Sequence, residues 1–109
     1  MTVKELSDAC GFMPICLPDP DREIDGAYVG DLLSWVMGRA RSANVWITIM
    51  SNVNIVAVGV LADVSCILLT EGVMPDDDAR SAAEKKGVNI LSTNLSSFYA
   101  SKMISEHFK

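Results

Sequence analysis

From Val45 to the C-terminus, short apolar runs alternate with segments of helical character, and no other feature narrows the possible folds as much. Strands are expected near residues 45–49, 64–69 and 88–91, with helices near 54–62, 76–86 and 95–107. The runs are apolar at nearly every position rather than at every second one, which is the pattern of strands buried on both faces. Strand and helix in strict alternation produce βαβ units and hence a largely parallel sheet, an α/β fold.

Upstream the signals are shorter. Thr2 and Glu5 have capping-box spacing, Val3 and Leu6 form a brief apolar stripe, and Gly11 suits a left-handed helix end. An extended stretch is expected around Ile15–Leu17, closed by Pro18 and Pro20, and a strand at Ala27–Val29 between Gly26 and Gly30. Asp31 is read as the cap of a helix running to Met37, with Gly38 stopping it. Residues 54–62 are apolar all round, so that helix is expected to be buried on more than one side. Asp76–Asp78 begin the next helix and Lys85 and Lys86 end it, which matches the helix dipole and explains the three carboxylates better than a magnesium site does.

A chain of 109 residues closes one core, so residues 1–109 are read as a single domain. With 50% hydrophobic and 21% charged residues it lies far from disordered compositions. A net charge of −5 without any Lys/Arg cluster argues against nucleic acid as a partner. Neither an apolar run long enough for a membrane span nor a signal-peptide layout occurs, so no membrane association is expected and the cytosol is the expected compartment. Cys10, Cys16 and Cys66 form no CxxC pair and His107 is the single histidine, so neither a structural metal site nor a cofactor site is expected. Cys66, inside an apolar run, reads as a buried small hydrophobe, and Trp35, Trp46 and the methionines as core or subunit interface.

In open α/β sheets ligands collect beyond the carboxyl ends of parallel strands. Three such ends lead into small polar residues: Ser51, Asn52 and Asn54 after the first, Thr70, Glu71 and Gly72 after the second, and Ser92, Thr93 and Asn94 after the third. Ser51, Asn52, Asn54, Thr70, Gly72 and Thr93 are therefore the candidate ligand-binding rim, although Ser, Thr and Asn are also what helix N-caps use. No catalytic residue can be named. A nucleophile requires an adjacent base, the one histidine lies two residues from the end, and no phosphate-binding G-x-x-x-x-G-K-[ST] loop occurs. A hydrolase using Asp and Ser residues is a remote alternative.

Two stretches carry a family resemblance. VSCILLTEGVMP (64–75), followed by a helix and then GVNILSTNLSSF, resembles the DRTGG domain and the related N-terminal domain of HPr kinase/phosphorylase. DREIDGAYVGDLLSWVMG (21–38) with NVWITIMSNVNIVAV (44–58) resembles the small stand-alone proteins of that family. The family's Asp-Arg pair would fall at Ser51 and Asn52, whereas Thr-Gly-Gly survives as Thr70, Glu71, Gly72. The resemblance implies a three-layer α/β/α fold with a largely parallel central sheet and a non-catalytic, regulatory role. Relatives place such domains beside catalytic or CBS domains, including in regulated pyrophosphatases. With Ser51 and Asn52 in place of the Asp-Arg pair, the cation that would attract an anionic ligand there is missing.

The expected function is a regulatory or docking module that senses a small metabolite or binds a partner protein. It is expected to be homodimeric through the apolar 32–37 or 54–62 helix, because so short a chain carries an excess of apolar surface. The alternative is a receptor for a nucleotide or phosphorylated metabolite at the strand ends.

Overall fold

The computed structural model describes residues 1–108. Helix α1 (Val3–Cys10) starts in a reciprocal capping box, in which the Glu5 N–H donates to Thr2 Oγ1 at 3.1 Å and the Thr2 N–H donates to Glu5 Oε1 at 2.9 Å. It stops at Gly11, whose φ of 69° is left-handed. The remaining elements are β1 (Met13–Cys16), β2 (Ala27–Val29), α2 (Leu33–Arg39), β3 (Val45–Thr48), α3 (Asn54–Ala62), β4 (Cys66–Leu69), α4 (Asp77–Lys86), β5 (Ile90–Ser92) and α5 (Ser97–Ser105).

The five strands form one sheet in the order β1-β5-β4-β3-β2. β2 to β5 are mutually parallel, and β1 pairs antiparallel with β5. Successive parallel strands step across the sheet in one direction, and because such crossovers share one hand, α2, α3 and α4 all land on the same face. Trp46, Ile67, Leu69 and Ile90 meet these helices there, with Ile55, Val56, Ala79 and Ala83. The opposite face, with Val45, Ile47, Cys66, Leu68 and Leu91, is covered by α1 and α5 through Val3, Leu6, Ala100 and Ile104. Burial on both faces is why β3 and β4 read as nearly continuous apolar runs, broken only by Thr48. The result is the three-layer α/β/α architecture expected, with a mostly parallel sheet. No helix among the described residues is long and apolar enough to cross a membrane.

Each central strand is entered through a buried polar residue. Asn44 precedes β3, its Oδ1 accepting the Arg41 N–H at 3.0 Å and its Nδ2 donating to the Asp25 carbonyl at 2.8 Å. Ser65 precedes β4 and donates to the Glu23 carbonyl. Asn89 precedes β5, accepts the Asp19 N–H at 2.9 Å, and donates to the Asp19 and Ser65 carbonyls at 2.7 and 3.0 Å. Arg22 adds an ion pair to Asp63 at 2.5 Å on the same edge.

Two expectations are corrected. Asp31 does not cap α2. Leu32 occupies the N-cap position without a side-chain bond, and Asp31 Oδ1 instead accepts the Thr48 hydroxyl at 2.7 Å and the Ile49 N–H at 3.1 Å. A carboxylate beside the open end of a neighbouring strand finds two donors there, which outweighs a single capping bond. The α3 helix is not enclosed either: Ile55, Val56, Val58, Gly59 and Ala62 face the core, whereas Val60 and Leu61 are exposed, Leu61 at 73%. Trp46 is wholly buried and donates its indole N–H to the Gly30 carbonyl at 2.9 Å, while Trp35 is exposed under the Arg39 guanidinium at 3.9 Å.

Candidate functional site

Parallel strands bring the ends of β3, β4 and β5 to one edge of the sheet, and the antiparallel β1 begins at that same edge. A cavity of about 610 Å³ opens there, lined by Gly72, Met74, Thr93 and Asn94 beyond β4 and β5, and by Cys10, Met13 and Met103 from α1, β1 and α5. No Lys or Arg lines it.

The turn after β4 is built for close approach. Glu71 and Gly72 are consecutive left-handed residues with φ of 60° and 74°. A Cβ at Gly72 would stand 3.1 Å from Asn94 Oδ1, so glycine is required for space as well as for φ. Successive left-handed backbone of this kind can cradle an anion. Here both N–H groups are already committed: Glu71 donates to the Leu95 carbonyl and Gly72 to the Thr93 carbonyl, each at 2.9 Å. The turn therefore locks the β4 end onto the β5–α5 loop instead of offering donors to phosphate.

The six rim residues fall into three groups. Gly72 and Thr93 face the cavity together. Thr70 is fully buried, its Oγ1 2.7 Å from Ser97 Oγ, and serves to hold the α5 N-terminus against β4. Ser51 and Asn52 lie in the loop after β3 and Asn54 opens α3, and none of the three lines the cavity. Within that loop the Ser51 carbonyl accepts the Asp76 N–H at 2.9 Å, and Asn52 Oδ1 accepts the Asn54 N–H at 2.9 Å, the bond that opens α3. One shared edge is observed, but a single pocket shared by all six is not.

Reading the sequence missed Cys10, Met13, Met74 and Met103 as cavity walls. It also missed His107, whose Nε2 lies 3.9 Å from Cys10 Sγ across 97 residues of chain. Burial, with help from the Glu106 charge, raises the Cys10 thiol above the ordinary thiol value. Cys16 and Cys66 are pushed up further by burial, to about 11 and about 12, so both are neutral structural thiols.

Comparison with known proteins places the fold. No curated protein matches the chain. Among solved structures, the CBS and DRTGG domains of the regulatory region of Clostridium perfringens pyrophosphatase, crystallised with its activator diadenosine tetraphosphate, superpose with a TM-score of 0.72 at 18% identity. The match covers 94% of this chain and 45% of that one, so this chain spans less than half of its structural neighbour. The DRTGG domain family profile matches residues 30–107, which takes in every strand and helix from α2 to α5. The chain belongs to the DRTGG domain family.

Proposed function

We propose that this protein is a non-catalytic regulatory module that binds a small ligand in the cavity at the carboxyl edge of its sheet. The observation that carries this reading is the cavity itself, about 610 Å³ at the edge where α/β sheets take their ligands, walled by Gly72, Thr93 and Asn94. The regulatory assignment draws on membership of the DRTGG family and on the activator-bound regulatory region that shares the fold. A raised thiol value at Cys10 supports the non-catalytic reading, because the thiol–imidazole pair with His107 holds little thiolate nucleophile at neutral pH.

The cavity chemistry favours a neutral or cationic ligand over a phosphorylated one, since no basic side chain lines it and the glycine turn's donors are spent. The module is a homodimer in this reading, joined through the outer side of α2 and α3, where Leu32, Trp35, Val53, Val60 and Leu61 are exposed together. The cytoplasm is its proposed compartment.

Thermal shift against a panel of neutral, cationic and phosphorylated metabolites tests the ligand. A ligand at 100 times its Kd adds about 2.7 kcal/mol to the folded state, and Asn94→Trp, at an exposed position that lines the cavity, abolishes the shift by filling it. The absence of any shift across the panel, at ligand concentrations near solubility, contradicts the receptor reading. Sedimentation velocity tests the dimer: the wild type runs as a dimer at tens of micromolar, a working concentration of the order set by typical affinities, and Leu61→Lys runs as a monomer. A monomeric wild type removes the dimer.

A further inference from the structure

We propose that the free edge of β2 takes up an extended, basic-ended segment of a partner protein as a sixth strand, with alternate apolar side chains in the groove between β2 and α5 and a Lys or Arg at each end against Asp25 and Asp31. β2 closes the strand order, so β3 is its one partner in the sheet. The Gly26 carbonyl accepts the Val45 N–H at 3.0 Å and the Gly30 N–H donates to the Ile47 carbonyl at 3.1 Å, which turns the even-numbered positions toward β3. The backbone groups of Ala27 and Val29 therefore point away from the sheet, and both residues are exposed, Val29 at 52%. Two N–H and two C=O groups so placed are a template for another strand.

A groove of about 320 Å³ lies along the same edge, walled by Ala27 and Val29 of β2, Ile47 of β3, Ile104 of α5 and Phe108 just beyond it. No charged residue lines it. A residue paired opposite Ala27 or Val29 shares their face of the sheet, so its side chain enters this groove, whereas a residue opposite Tyr28 points to the other face. Backbone pairing beside a pocket for alternate side chains is how sheet edges bind extended peptides.

Charge selects the occupant. Asp25 and Asp31 lie two residues beyond Ala27 and Val29, both are exposed, and neither takes part in an ion pair among the described residues. Thr48 and Ile49 both donate to Asp31 Oδ1, which leaves its Oδ2 for a partner. From Glu23 to Gly38 the chain contains no Lys or Arg. A second copy is the wrong occupant. Antiparallel pairing of β2 with itself that uses all the outward groups sets Ala27 opposite Val29, and hence Asp25 of each copy opposite Asp31 of the other, where like charges repel. A strand with a basic residue at those two places meets a carboxylate at both.

This inference depends neither on the ligand cavity nor on the regulatory assignment. Its test is fluorescence anisotropy of the full chain with a labelled seven-residue peptide that has lysine at both ends, valine at the third and fifth places and threonine between. The peptide binds with a Kd on the order of 100 μM. Glutamate in place of the lysines weakens binding at least roughly tenfold, and so does N-methylation of both valines, which removes the backbone donors that face β2. Val29→Pro removes an outward N–H at a place where an edge strand accepts proline, and it abolishes binding with an unchanged circular dichroism spectrum. Asp25→Lys, at an exposed side chain, inverts the preference between lysine-ended and glutamate-ended peptides. Equal binding of the N-methylated or the glutamate-ended peptide overturns the proposal, as does the absence of binding at millimolar peptide. A wild type that sediments as a dimer with a Val29→Pro variant that sediments as a monomer puts a second copy on this edge and likewise overturns it.

Discussion

The two edges of the sheet are built on opposite plans. Where β3, β4 and β5 begin, Asn44, Ser65 and Asn89 spend their side chains on backbone groups of Asp19, Glu23, Asp25, Arg41 and Ser65, and the edge is sealed. Where the same strands end, Thr48, Thr70 and Ser92 are likewise satisfied. Beyond them, however, Gly72, Thr93 and Asn94 surround open space. Polar residues at a strand terminus thus have two uses, and the difference lies in whether a partner from the same chain is within reach.

The contrast yields graded expectations. Asn89→Ala removes three hydrogen bonds on the sealed edge and leaves the buried Ser65 carbonyl without that donor. It destabilises the protein by about 3 kcal/mol in urea unfolding, and a loss under 1 kcal/mol would mean that the seal is decorative. Glu71→Gly relieves a left-handed non-glycine residue next to the cavity and stabilises by about 1 kcal/mol, because such backbone strains any side chain with a Cβ. Asn94→Ala, on the open edge, changes stability by no more than about 0.5 kcal/mol, since its exposed side chain supports no structural bond, but it alters the ligand response in thermal shift. A larger stability loss there would erase the distinction between the edges.

The smallest expected effect is electrostatic. Hydrogen bonds from Ser42 and then Arg22 hold Asp63 below its ordinary value of 3.8. A carboxylate lowered on folding contributes stability above its unfolded value and loses it as pH falls through the folded one. The wild type therefore loses a little stability below about pH 4, a loss that Asp63→Asn abolishes; with the Asp63 side chain 59% exposed, solvent screening keeps it modest. Chemical denaturation at stepwise lower pH measures the difference.

How much of this was legible follows from where the information sits. β3 and β4 announce themselves because every position but Thr48 is apolar, and α1 and α4 because their caps and end charges lie within a turn of each helix. Asp31 misleads because a carboxylate before a helix looks the same whether it caps that helix or reaches sideways to Thr48. The open outer side of α3 is hidden by the same uniformity that predicts burial: valine and leucine read alike on an inner face and on an outer one. The rim at Gly72 and Thr93 is visible because it lies next to strands that are themselves visible. Cys10, Met13 and Met103 carry no local signal, since only tertiary closure places them opposite the rim.

Because β1 runs against its one neighbour, β5, the segment from Gly11 to Met13 meets Met103 of α5 across one void. That void exists only once residues 10–13 and Met103 have come together, so in the proposed reading an occupant acts as a clasp between the two segments. The clasp's N-terminal half lies before residue 30, outside the part of the chain that the DRTGG profile matches.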